Sequence, residues 1–142
     1  MERKRVLFVC IHNSARSQMA EAWLRHVAGD RFEVESAGLE PGKLNPFVVE
    51  AMKQVGIDIS LHSPKGVQDL LNAGKTYDYV IAVCDKEAAE KCPIFSGGSM
   101  RLHWSFPDPS AATGEYDSKL RVAVEVRDTI KATIEHWLRE LP

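Results

Sequence analysis

Five residues, Ile11-His12-Asn13-Ser14-Ala15, separate Cys10 from Arg16, and Ser17 follows the arginine directly. Where such a stretch curls between a strand end and a helix start, its backbone N–H groups can converge and form a nest for a tetrahedral oxyanion. An arginine in the first helical turn adds two parallel charge-assisted hydrogen bonds to the same anion. That positive field favours thiolate over thiol at Cys10 and makes the sulfur a nucleophile. Ser17 is placed to donate a hydroxyl hydrogen bond to it. Two further thiols, Cys84 and Cys92, stand eight positions apart, and Asp108 lies between two prolines. A pair of thiols can supply two electrons. As a zinc site the same pair lacks a second pair of ligands, and His62 and His103 are not at a metal-ligand spacing, so no metal is expected.

These residues need a frame. Val6-Leu7-Phe8-Val9 reads as a strand covered on both faces and runs straight into Cys10. Ala15, Met19, Trp23 and Val27 recur four apart, the stripe of a helix, with Gly29 as its stop. Phe32 to Ser36 alternates as a second strand, closed by Gly38. Asn45-Pro46 is a helix cap followed by a first-turn proline, and Val48, Ala51, Met52 and Val55 form the stripe behind it, up to Gly56. Pro64 through Leu71 is expected to be another short helix, ending near Gly74. Tyr79 to Val83 is a buried strand leading into Cys84, and Asp85 to Lys91 is a loop or weak helix that delivers Cys92. Pro93 to Ser99 reads as loop, Arg101 to Trp104 as a fourth strand, and Phe106-Pro107-Asp108-Pro109 as a rigid turn. A long last helix carries Ala123, Val126, Ile130, Ile134, Trp137 and Leu141 on one face. This alternation, without repeats or a linker, implies one α/β domain over residues 1–142 with a mainly parallel sheet. In such sheets ligands bind at the carboxyl ends of strands, where Cys10, Cys84 and Asp108 all fall.

The 142 residues carry a formal net charge of -2, which argues against a general nucleic-acid role or a polybasic membrane surface. No apolar run approaches the roughly 20 residues that cross a bilayer. The basic start, Met1-Glu2-Arg3-Lys4-Arg5, precedes too short an apolar stretch for a signal peptide, so the expected location is the cytoplasm. Three cysteines in that reducing compartment are not a structural disulfide framework.

The run from Val6 through Ala22, with His12-Asn13-Ser14-Ala15-Arg16-Ser17-Gln18-Met19 at its centre, resembles the opening of the low-molecular-weight tyrosine phosphatase superfamily. Within it, the chain is similar to the thioredoxin-coupled arsenate reductases. The likeness extends through Ser36-Ala37-Gly38, Asn45-Pro46 and His103-Trp104 to Asp108-Pro109. It implies a four-stranded parallel sheet flanked by helices, an oxyanion cradle made by residues 11–17, and Asp108 as general acid. Relatives often carry a second acid where this chain has Pro107. Some members hold potassium with an asparagine, a glutamate, a serine and an acid. Asn13, Glu21 and Ser36 match the first three, and Lys65 stands at the fourth, where its ammonium is expected to replace the ion.

Phosphate and arsenate share shape and charge, so the cradle alone leaves phosphatase and reductase open. A phosphatase needs one thiolate, one arginine and one acid, whereas Cys84 and Cys92 are surplus to it. Superfamily phosphatases usually show a tyrosine after Asp-Pro as a substrate platform, and Ser110 stands there instead. The resemblance therefore implies arsenate as substrate and a relay. Cys10 attacks, Cys84 displaces arsenite to give a Cys10–Cys84 disulfide, Cys92 moves it to Cys84–Cys92, and thioredoxin reduces it. The Cys84–Cys92 spacing is one residue longer than in typical relatives. No cofactor beyond these thiols is implied, and a monomer is expected. A glutaredoxin–glutathione or mycothiol donor, a low-molecular-weight phosphatase, and a non-catalytic anion-binding or redox-sensing module are the competing readings.

Overall fold

The computed structural model describes residues 3–95 and 97–141, so Met1, Glu2, Ser96 and Pro142 lie outside it. The expected basic start and the Pro93–Ser99 loop are thus described only in part. In chain order the elements are β1 (Lys4–Cys10), α1 (Arg16–Ala28), β2 (Phe32–Gly38), α2 (Pro46–Lys53), α3 (Val67–Asn72), β3 (Tyr79–Ala82), α4 (Lys86–Glu90), β4 (Met100–His103) and α5 (Tyr116–Glu140). A short 3-10 turn, Pro109–Ala111, precedes α5.

All four strands pair in parallel in the order β2-β1-β3-β4. β1 is central, so its alternate side chains enter two different cores. Val6, Phe8 and Cys10 face the larger one, with Met19 and Leu24 of α1, Met52 of α2 and Ile130 and Ile134 of α5. Leu7 and Val9 face the smaller one, with Val67, Leu70, Val80 and Phe95. This is why the strand reads as an unbroken apolar run. Among the described residues, no helix is long and apolar enough to cross a membrane.

The Asn45 side chain caps α2, accepting from the N–H groups of Phe47 and Val48 at 2.8 and 3.3 Å. The helix expected over Pro64–Leu71 starts later, at Val67. Lys65 and Gly66 are occupied instead beside β2: the Lys65 carbonyl accepts from Gly38 at 2.8 Å, and Gly66 bridges Gly38. Arg127, not anticipated as a core residue, is buried in α5. It donates to the Ala51 carbonyl at 2.8 Å, while its own carbonyl accepts from the Trp23 indole at 3.1 Å, tying α1, α2 and α5 together.

Ile130 is fully buried in the larger core. Ile130→Ala is expected to lower stability by about 2–5 kcal/mol, seen as a lower urea midpoint at unchanged slope.

Candidate active site

The segment after β2 sets the shape of the loop. Leu39, Glu40, Gly42 and Asn45 donate their N–H groups to the carbonyls of Cys10, Ile11, His12 and Ser14, at 3.0, 2.8, 2.9 and 2.9 Å. The Asn13 carbonyl accepts from the Gln18 amide at 3.2 Å, and that of Ala15 from Met19 at 3.0 Å within the first turn of α1. Because a trans peptide is planar, a carbonyl held outward turns the following N–H inward. The inward N–H of Asn13 reaches the Cys10 Sγ at 3.2 Å, as this rule requires. Asn13 itself takes φ +54°, a left-handed conformation that asparagine tolerates better than most residues. Gly38 closes β2 against the loop so tightly that a Cβ there would lie 2.7 Å from the Asn13 nitrogen and from the His12 carbonyl carbon.

A hydrogen-bond network converges on Cys10. Asn13 Nδ2 donates to Ser17 Oγ at 2.8 Å and to Ser36 Oγ at 2.9 Å. Ser17 is thereby left to direct its own proton at the Cys10 Sγ, 2.8 Å away. Asn13 Oδ1 accepts from Gln18 Nε2 at 3.1 Å and from the Lys65 backbone N–H at 2.9 Å. Ser36 donates to Glu21 at 2.6 Å, and Glu21 pairs with Arg25 at 2.8 Å.

This corrects the expectation for Lys65. Its ammonium lies 3.9 Å from Glu35, partly exposed, and it is the backbone that serves Asn13. Among the described residues no buried side-chain polar atom is without a partner, so Asn13, Glu21 and Ser36 present no orphaned oxygen to an ion. His62, set aside in the sequence as a metal ligand, hydrogen-bonds Gln18 Oε1 at 2.9 Å and so steadies the same network.

Arg16 is only 5% exposed and reaches across to the loop after β4. Its guanidinium donates to the Phe106 carbonyl at 3.2 Å and stands 3.6 Å from Asp108 Oδ2. Asp108 forms the expected turn. Its other oxygen accepts from the Ser110 N–H at 2.9 Å and caps the 3-10 turn. Ser110 Oγ accepts from Asn45 at 2.9 Å and lies 3.3 Å from Ser14 Oγ, a tie between the acid loop and the cradle that the sequence did not suggest. Cys10, His12, Ser14, Ala15, Arg16 and Asp108 line one small cleft. The His12 ring also bonds the Glu40 carbonyl at 2.9 Å, and Ile11 faces away, toward Leu39 and Pro93.

Cys84 is fully buried just past β3, in the same core as Cys10. Burial pushes its thiol up to about 11, against the opposing charge of Arg16 and with a further push from Cys10. Cys92 lies in the smaller core, where burial raises its thiol against the nearby charge of Arg101. All three cysteines are free. Between Cys84 and Cys92, Asp85 caps α4 by accepting from Ala88 at 2.9 Å. Cys10, Arg16, Cys84 and Asp108 are therefore brought together, and Cys92 stands apart from them.

A family model described as low molecular weight phosphotyrosine protein phosphatase matches residues 5–142. An arsenate reductase of Bacillus subtilis is 44% identical over 131 residues, 92% of this chain and 91% of the relative. The solved structure of an arsenate reductase in its oxidized state has a TM-score of 0.78 at 30% identity, covering 94% of this chain and 95% of that one. A thioredoxin-dependent arsenate reductase of Corynebacterium glutamicum has a TM-score of 0.69 at 30% identity, covering 98% of this chain and 64% of that one.

Two measurements test the geometry. Gly38→Ala is expected to weaken phosphate binding at least tenfold in calorimetric titration, since the displaced atoms are backbone. Gly42→Ala, whose Cβ would meet only the His12 side chain at 3.2 Å, should change it much less. In a Cys10→Ser/Cys92→Ser variant, thiolate absorbance should show Cys84 protonated at neutral pH, with a midpoint well above that of an ordinary thiol. Removing Cys10 takes away one of the upward pushes, so the midpoint should fall at or somewhat below about 11.

Proposed function

The chain belongs to the low-molecular-weight phosphotyrosine protein phosphatase family, and we propose that it is an arsenate reductase that draws its electrons from thioredoxin. The observation that carries this reading is the second thiol, Cys84, buried beside Cys10 in the same core, where a phosphatase has no use for it. Relatives named arsenate reductase, similar along nearly the full chain, support it.

Arsenate enters the cradle of residues 11–17, and Arg16 turns its guanidinium from Asp108 to the anion. The Cys10 thiolate, with Ser17 and Asn13 donating to it, attacks arsenic. Asp108, freed from Arg16, protonates the departing oxygen, which leaves as water. Cys84 then gives up its proton and attacks the Cys10 sulfur. The Cys10–arsenic bond breaks, its electron pair stays on arsenic, and arsenite leaves. The two electrons come from the two sulfurs, now joined as a disulfide. Cys92 attacks Cys84 and expels Cys10 as thiolate, and thioredoxin reduces the Cys84–Cys92 bond by exchange. Residues 1–142 act as one catalytic domain in this reading, as a monomer in the cytoplasm.

Arsenate-dependent NADPH oxidation with thioredoxin and its reductase, beside an aryl-phosphate control, tests the assignment. The native chain should turn over arsenate continuously. Cys92→Ser should stop after about one arsenite per chain, because the disulfide has nowhere to go. Cys84→Ser should form adduct at most, and sustained arsenite release from it would overturn the relay. Turnover of the ester alone would make the protein a phosphatase.

A further inference from the structure

The edge strand β4 places Arg101 and His103 two residues apart, on one side of the strand, and both reach backbone carbonyls of the relay cysteines. His103 Nε2 donates to the Cys84 carbonyl at 2.6 Å, and Arg101 Nη2 donates to that of Cys92 at 3.1 Å. The two bonds thus fall on the two ends of the segment that the relay must move.

That segment has little else to hold it. α4 is a helix of five residues, of which only Ala88 is buried. A single turn of helix is not stable by itself. Between it and β4 lies a half-open cleft of about 290 Å³, lined by Val80 and Ala82 of β3, Ala89 of α4, Cys92, and Arg101 and His103 among the β4 residues. A helix with one side on an open cleft makes few dispersion contacts there, so bonds at its ends weigh more in its position.

Resting on the relay reading, we propose that Arg101 and His103 are positioning residues for thiol exchange: His103 fixes the Cys84 backbone for attack on Cys10, and Arg101 holds Cys92 apart until that attack is complete. Neither touches substrate. The two bonds act on successive exchanges and in opposite directions. In the first, the Cys84 sulfur bonds to the Cys10 sulfur, the Cys10–arsenic bond breaks with its electron pair staying on the departing arsenite, and the Cys84 proton passes to an arsenite oxygen. A Cys84 carbonyl held by His103 keeps the sulfur in line. In the second, the Cys92 sulfur bonds to Cys84, Cys10 leaves as thiolate, and the Cys92 proton passes to solvent. Cys92 sits in the smaller core while Cys84 sits in the larger, so this step requires Arg101 to release it.

The test pairs a variant that removes each donor with one that keeps it. In the reduced protein without arsenate, Arg101→Met should raise the rate of Cys92 alkylation by iodoacetamide about tenfold, mapped by mass spectrometry, and Arg101→Lys should stay near native. In single turnovers quenched with acid, His103→Ala should slow Cys10–Cys84 disulfide formation about tenfold at unchanged half-saturation for arsenate, and His103→Gln should recover most of the loss. Unaltered Cys92 alkylation in Arg101→Met, or a His103→Ala defect confined to arsenate affinity, would overturn the proposal. A general loosening of the fold would instead expose all three cysteines in both Arg101 variants, which also counts against it. The alkylation arm needs no arsenate chemistry, so it stands or falls apart from the relay. A native chain that releases no arsenite would overturn the relay reading alone.

Discussion

A backbone that turns several successive carbonyls away from one point must give each of them a donor elsewhere, or the loop collapses onto its own N–H groups. Here the donors come from the segment after β2, from the Gln18 side chain and from the first turn of α1. The cradle is therefore a property of two chain segments, and the parallel pairing of β1 with β2 is what brings them side by side. Cys10 stands opposite Gly38 in that register. A side chain at position 38 would enter the loop backbone, so the nest requires a glycine in a strand that has no conformational need of one. Charge then completes what the backbone prepares. Arg16, buried and resting on Asp108, is exchanged from one anion to another when substrate arrives, so it is never left without a partner in a poorly solvated place.

The same surroundings give the two neighbouring thiols different states. Cys10 receives two donors at its sulfur, whereas burial holds Cys84 as a neutral thiol. Two adjacent thiolates would repel one another, and Arg16 alone would have to offset both. Keeping Cys84 protonated at rest avoids that repulsion and leaves the cradle free for a doubly charged anion. In the proposed relay, bonding of the Cys10 sulfur to arsenic removes one of the pushes on the Cys84 thiol. The order of the exchanges thus follows from electrostatics as well as from geometry.

Much of this was legible in the sequence. Apolar runs and caps gave all four strands and the start of α2, because those signals are local: Asn45-Pro46 caps α2 through its own next two N–H groups. The Cys10–Arg16 loop was legible for the same reason. What was not legible depends on contacts between segments. Lys65 was read by its side chain, yet the site uses its backbone, because pairing beside β2 fixes residues 65 and 66 in extended form and sends the ammonium to Glu35. The late start of α3 has the same origin. The sequence marks Gly38 as a strand end and Ser110 as a missing tyrosine, and their contacts with the cradle arise only across the sheet edge. The eight-residue spacing left the distance between Cys84 and Cys92 open. Strand side chains alternate between faces, and α4 carries the chain from one core to the other, so eight residues suffice to separate them.

That separation has an energetic limit that makes it workable. Bringing Cys92 to Cys84 requires unwinding one helical turn, breaking the Arg101 bond to the Cys92 carbonyl, worth roughly 0.5–1.5 kcal/mol, and withdrawing Cys92 and Ala88 from apolar surroundings at about 1–2 kcal/mol each. The sum is a few kcal/mol, well inside the range of local openings that folded proteins make without global unfolding. A larger helix, or one seated on a filled core in place of a cavity, would put the second exchange out of reach on a catalytic timescale. A shorter connection with no helix would leave the two thiols side by side, open to pairing by any external two-electron oxidant before arsenate arrived. The marginal packing of α4 is thus the condition under which one buried thiol can wait while its neighbour reacts.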